Sequence, residues 1–151
     1  MKILILDDDS RILEFLKRGL EAECHEVSIA TSPHQGWQYF EEGRYDLVIL
    51  DIFLGEANGL DFCRQLRIKQ PMVPVLAMTA KDSPEIQQES RGAGANAYLP
   101  KPFSFDDLVA TIEDLGGNPP PLDLSSLTGI PALAMSLMNC CLGLLFWSVI
   151  V

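Results

Sequence analysis

The chain has 151 residues, enough for one domain with a buried core, or one domain with a tail. It is acidic, with 21 Asp and Glu against 11 Lys and Arg and a formal net charge of −10. That balance opposes non-specific attraction to phosphate backbones and argues against direct nucleic-acid binding. The composition also excludes a collagen, a disulfide miniprotein and a disordered acidic segment.

The charge is unevenly placed: residues 118–151 hold a single charged side chain, Asp123. The four cysteines, Cys24, Cys63, Cys140 and Cys141, form no CxxC pair, and their spacing fits neither a zinc site nor a disulfide framework. They read as reduced thiols of a cytoplasmic protein. His25 and His34 have no nearby ligand set. The apolar run before Asp7 is too short for a signal peptide.

In chain order, Ile3-Leu4-Ile5-Leu6 is a continuous apolar run, the pattern of a strand covered on both faces. Ser10 is placed to cap a helix whose apolar positions are Ile12, Phe15, Leu16, Gly19 and Leu20. A short strand is expected over 26–30. Ser32-Pro33 then reads as a cap and first helical residue, with Trp37 and Phe40 on one face. Leu47 to Leu50 is a buried strand ending at Asp51, and a helix near 60–68 turns Leu60, Cys63 and Leu66 inward. A fourth strand is expected over 74–78. Ser83-Pro84 opens a helix that stops near Gly92, and a fifth strand follows over 95–99. Ser104 and Asp107 have capping-box spacing, with Phe103 and Leu108 as the staple, before a last helix carrying Leu108, Ile112 and Leu115.

Five strands alternating with five helices predict an α/β fold, a parallel sheet with helices on both faces. In such sheets sites form beyond the carboxyl ends of the strands. Asp7, Asp8 and Asp9 follow the first strand, Asp51 the third, Thr79 the fourth and Lys101 the fifth. Clustered carboxylates repel, and a hard divalent cation such as Mg²⁺ relieves the repulsion. A carboxylate beside that cation can attack phosphorus, while an ammonium and a hydroxyl suit phosphoryl oxygens. The set predicts phosphoryl transfer to an aspartate.

With Leu6-Asp7-Asp8, Leu50-Asp51, Met78-Thr79-Ala80-Lys81 and Tyr98-Leu99-Pro100-Lys101-Pro102-Phe103 in place, residues 1–115 resemble a bacterial response-regulator receiver domain. Thr79-Ala80-Lys81 and Lys101-Pro102-Phe103-Ser104 are most like the receivers of winged-helix transcription regulators. The resemblance implies a flavodoxin-like, doubly wound sheet of strand order 2-1-3-4-5. It implies Asp51 as phosphoacceptor and Mg²⁺ held by Asp8, Asp51 and the backbone carbonyl of Phe53, with Asp7 acting through a water. Lys101 and Thr79 would bind the phosphoryl group, and Thr79 and Tyr98 would form the switch, Tyr98 turning inward. The donor would be the phosphohistidine of a sensor histidine kinase or phosphotransfer protein, and the receiver would catalyse only its own modification, acting on a downstream protein. Three positions depart from the family pattern. Gly55 replaces a common proline, Asn96-Ala97 replaces an acidic pair, and Thr111 stands where an arginine is frequent. The last two changes remove charges that often join two receivers.

The resemblance ends where the composition changes. Residues 1–117 read as the receiver, 118–123 as a Gly/Pro-rich linker and 124–151 as an uncharged apolar tail without an effector domain. The stretch 131–151 is long enough for a membrane span, although no Lys or Arg flanks it and Asn139 sits near its middle. It reads equally as an anchor on the cytoplasmic face, a docking helix, or a truncated end without a selected role. Two other functions compete with the switch. Asp7-x-Asp9 superficially matches the nucleophile and acid–base pair of a haloacid-dehalogenase-like phosphatase, but Ser10-Arg11 stands where that family has Gly-Thr. The other is a membrane-tethered adaptor that uses the receiver fold without phosphorylation.

Overall fold

The apolar run at the amino terminus forms β1 (Lys2–Leu6), and the computed structural model describes residues 1–115 from there to the end of the last helix. The linker and tail read at 118–123 and 124–151 lie outside the described residues. Five helices follow in turn: α1 (Ser10–Ala22), α2 (Pro33–Glu42), α3 (Gly59–Lys69), α4 (Pro84–Ala93) and α5 (Phe105–Leu115). The remaining strands are β2 (Glu26–Ala30), β3 (Leu47–Asp51), β4 (Phe53–Leu54), β5 (Ala57–Asn58), β6 (Val75–Thr79) and β7 (Ala97–Pro100). The sheet is parallel and five-stranded, ordered β2-β1-β3-β6-β7. This is the flavodoxin-like order anticipated from the sequence, β6 and β7 being its fourth and fifth strands.

Alternate residues of each strand feed opposite cores. On one face Ile3, Ile5, Leu47, Ile49, Leu76 and Met78 pack under Leu13, Leu16 and Leu20 of α1 and Leu108 and Ile112 of α5. On the other, Leu4, Leu6, Val48, Leu50, Val75 and Ala77 meet Leu60, Phe62, Cys63 and Leu66 of α3, with Trp37 and Phe40 of α2 alongside. Every residue of β3 and β6 is buried, which explains their unbroken apolar sequence.

Four local expectations need correction. Asp9, not Ser10, caps α1: its backbone is extended and its Oδ1 accepts from the Arg11 amide at 3.0 Å. Asp9 wins because its own amide is held by Asp7 Oδ1 at 2.9 Å, and the helix begins at Ser10, one residue earlier than a Ser10 cap would place it. Phe15 is 60% exposed, and Leu13 fills the core instead. The α4 stop is Gly94, whose φ of 104° gives the left-handed cap; Gly92 remains helical. The last strand starts at Ala97, two residues later than expected, although the Asn96 amide already donates to the Val75 carbonyl at 2.8 Å. By contrast, Ser32 and Ser83 cap α2 and α4 as expected, with Pro33 and Pro84 in first position. The Ser104–Asp107 box closes reciprocally, at 3.3 and 3.0 Å.

The sequence held no expectation for β4 and β5, an antiparallel hairpin between β3 and α3. Its two-residue turn has Gly55 at φ 60° in the first central position, where a proline could not go.

Asn96 and Thr111, read as lost charges on an outer face, both serve internal bonds. Arg67 of α3 donates from Nη2 to Asn96 Oδ1 at 2.6 Å, and the Val75 amide donates to the same oxygen at 2.9 Å. Arg67 also reaches the carbonyls of Gly94, Pro71 and Val73, tying the start of β6 to the start of β7. Thr111 Oγ1 donates to the Asp107 carbonyl within its own helix at 2.7 Å. Among the described residues, no helix is long and apolar enough to cross a membrane.

Candidate functional site

Because the strands are parallel, their carboxyl ends share one rim. The register aligns Leu6 with Leu50, Asp51 with Met78 and Thr79 with Pro100, so Asp7, Asp51, Thr79 and Lys101 emerge as neighbours. Asp7 and Thr79 are fully buried, and Asp51 nearly so, whereas Asp8 faces solvent. Carboxylate oxygens of Asp7, Asp8 and Asp51 lie within 4.8 Å of one another.

Lys101 ties this group together. Its Nζ donates to Asp7 Oδ2 at 2.7 Å and to Asp51 Oδ2 at 2.8 Å. Its backbone amide donates to the Thr79 carbonyl at 2.7 Å, which fixes where the stem begins. Burial pushes the Asp7 carboxyl above its ordinary range, and the Lys101 bond only partly offsets this. Burial also works against the Lys101 ammonium, but its bonds to Asp51 and Asp7 prevail and raise its pKa. The ammonium pairs with two of the three clustered carboxylates, leaving Asp8 without it, and all their donors are hard oxygens. That donor set fits a divalent cation of the Mg²⁺ type.

The hairpin supplies a further oxygen. Leu54 faces Ala57 across the turn, and the Gly59 amide donates to the Ile52 carbonyl at 2.7 Å. Between these bonded pairs, the Phe53–Asn58 pair is the non-bonded kind. The N–H and C=O of Phe53 thus turn away from Asn58, and its N–H donates to Asp51 Oδ1 at 3.0 Å. The Phe53 carbonyl leaves on the same edge of the strand as that N–H.

Thr79 and Tyr98 both bond to the loop that leaves β6. Thr79 Oγ1 accepts from the Lys81 amide at 3.0 Å, within the loop that leaves β6. Tyr98 donates its hydroxyl to Asp82 Oδ1 at 2.9 Å, a partner that sequence reasoning missed. No local pattern links a strand tyrosine to a loop acid sixteen residues away, so only the fold reveals it. Lys81 Nζ sits 4.8 Å above the Phe53 ring.

Asp9 does not join the cluster. Its carboxylate caps α1 and pairs with Arg11 at 3.4 Å, and its pKa is lowered, mainly by the Arg11 amide. The phosphatase reading needs Asp9 facing the same reacting centre as Asp7, and the carboxylate is engaged elsewhere.

Comparison with known proteins agrees with this geometry. The model of the response regulator receiver domain matches residues 3–113. The response regulator MprA of Mycolicibacterium vanbaalenii is 36% identical over 115 residues, which is 76% of this chain and 50% of that protein. Protein RcaC of Microchaete diplosiphon is 35% identical over 126 residues, 81% of this chain and 19% of RcaC. This chain spans about half the length of the first MprA relatives. Among solved structures, a CheY-like receiver domain protein from Methanospirillum hungatei superposes with a TM-score of 0.73 at 33% identity, covering 76% of this chain and 92% of that one. The BeF3-activated DrrB receiver domain gives a TM-score of 0.69 at 26% identity, with 76% and 95% covered. From sheet order, rim and sequence alike, the chain belongs to the response regulator receiver domain family of two-component systems.

Proposed function

We propose that the chain is a phosphorylation-dependent switch that takes a phosphoryl group onto Asp51 from a phosphohistidine of a sensor histidine kinase or phosphotransfer protein. The observation that carries this reading is the bridge from Lys101 to both Asp51 and Asp7, beside the solvent-facing Asp8. A carboxylate oxygen of Asp51 forms the new O–P bond. The N–P bond of the donor breaks, and its electron pair returns to the imidazole nitrogen. Lys101 then exchanges its Asp51 bond for a phosphoryl oxygen. Asp8, Asp51 and the Phe53 carbonyl would hold Mg²⁺ directly, and Asp7 through a water. When bound, Mg²⁺ supplies compensation for negative charge on the transferring group.

On this reading Thr79 and Tyr98 pass the change to a downstream protein. The chain acts as substrate and catalyst of its own modification, in the cytoplasm, without contacting nucleic acid. Its output partner is a separate proposal from its chemistry, since the family match covers the receiver alone. Residues 1–117 would carry all of the phosphoryl chemistry.

Mass spectrometry after incubation with acetyl phosphate and Mg²⁺ tests the reading. One phosphoryl group on Asp51, absent without Mg²⁺ and absent in Asp51→Asn, is expected. Phosphate on Asp7, or retained by Asp51→Asn, overturns it. No incorporation into an intact, folded chain would favour the non-phosphorylated adaptor.

A further inference from the structure

The loop between β6 and α4, residues 80–83, is tied down at both ends. At its start the Lys81 amide donates to Thr79 Oγ1 at 3.0 Å and the Thr79 hydroxyl donates to the Lys81 carbonyl at 3.4 Å, so the hydroxyl is engaged in both directions by its own loop. At its end Ser83 caps α4 by accepting from the Ile86 amide at 3.2 Å. Between them, Asp82 accepts from the Tyr98 hydroxyl at 2.9 Å, across from β7. Tyr98 aligns with Ala77, two residues before Thr79 on the neighbouring strand, and its hydroxyl reaches the loop that follows Thr79.

To donate to a phosphoryl group on Asp51, the Thr79 hydroxyl must give up the Lys81 carbonyl. Freeing it moves residue 81, and Asp82 is the next residue. The Tyr98–Asp82 bond opposes that movement, and it equally keeps the phenol directed at the loop instead of toward Thr79. We infer that Asp82 is a positioning residue of the switch, a carboxylate that latches Tyr98 and the 80–83 loop in the resting arrangement. This inference rests on the phosphorylation reading above. The latch holds across the physiological pH range, because burial and the Asp82 bond push the Tyr98 phenol up to about 12, so the donor keeps its proton. Asp82 is solvent-facing and fills no core space, so its replacement leaves the packing intact.

A ligand that favours the released arrangement must work against the latch, and removing the latch therefore tightens that ligand. Beryllofluoride with Mg²⁺, a phosphoryl mimic, is the probe, titrated calorimetrically into the full chain. Asp82→Ala should bind it about fivefold more tightly than wild type, a change of about 1 kcal/mol. Tyr98→Phe, which loses only the hydroxyl, should tighten it similarly. The double variant should gain no more than Tyr98→Phe alone, because the hydroxyl that Asp82 holds is already gone. Asp82→Asn keeps an acceptor oxygen and should stay within about twofold of wild type. A purely structural role would lower the thermal midpoint of Asp82→Ala without tightening the probe. Unchanged affinity in Asp82→Ala and Tyr98→Phe, or gains that add in the double variant, would overturn the latch. If wild type neither binds the probe nor accepts phosphate, the phosphorylation reading falls, and the latch with it.

Discussion

Gly59 lies so close to Asp51 that a β-carbon on the glycine would stand 2.1 Å from the Asp51 carbonyl oxygen. The contact is backbone against backbone, so neither side can yield by a rotamer change. Gly59→Ala should therefore displace either the end of β3 or the start of α3, at a cost of about 2 kcal/mol or more. Urea denaturation measures the loss. The phosphorylation rate should fall as well, since β3 delivers Asp51. Wild-type stability in the variant would mean that the turn relaxes freely.

Asp7→Asn should have the opposite effect on stability. Burial raises the Asp7 carboxyl above its ordinary value of 3.8. A carboxyl raised in the folded state contributes stability below the unfolded value and loses it as pH rises through the folded value. The asparagine is neutral throughout, and Lys101 keeps Asp51 as partner. The variant should therefore be more stable than wild type at neutral pH. Its advantage should shrink as pH falls through the folded Asp7 value. Denaturation curves across that range check both sign and window; an advantage that grows in acid would refute the argument.

Arg67→Lys should not substitute for arginine. The guanidinium reaches Gly94, Pro71, Val73 and Asn96 at once, and an ammonium on a flexible stem cannot span those directions. A loss of about 2–3 kcal/mol is expected, from acceptors left unsatisfied in a partly buried setting. Asn96→Ala should cost less, because it also frees the Val75 amide but leaves three Arg67 bonds. Equal stability of Arg67→Lys and wild type would dismiss the clamp.

Thr79→Ala should accept phosphate on Asp51 at a rate near that of wild type, and yet transmit the event poorly. Its hydroxyl bonds the Lys81 amide in the resting chain and has no part in the Lys101 bridge. The aromatic resonances of Tyr98, followed by NMR before and after phosphorylation, should shift much less in the variant. Identical shifts in the two proteins would remove Thr79 from the relay.

Much of this architecture was legible because its signals are local or periodic. Continuous apolar runs marked β1, β3 and β6, and Ser-Pro pairs marked the starts of α2 and α4. The rim followed from strand polarity, which places Asp7, Asp51, Thr79 and Lys101 together without any knowledge of side-chain packing. What was not legible depends on choices between near-equal neighbours. Asp9 and Ser10 are both good caps, and the decision lies with the Asp7 carboxylate. Leu13 and Phe15 both fit helical spacing, and the neighbouring α5 decides by setting Phe15 edge-on to Phe105 at the surface. The hairpin is too short to leave a periodic trace, and Gly55 looked like a missing proline until its φ was known. The partners of Asn96 and Tyr98 are contacts between distant segments, beyond the reach of any spacing rule.

The complete burial of β3 and β6 has a consequence for time as well as for place. Strands covered on both faces open only when the whole domain opens, so their amide protons exchange with solvent on the slowest timescale the protein possesses. Asp51 and Thr79 sit at the last residues of those strands, where the slow interior meets a solvent-facing edge. The proposed chemistry at Asp51 would thus take place on an immobile footing, with faster motion confined to the short segments just beyond. On the proposed function, a signal leaving this domain would travel along its rim and not through its middle.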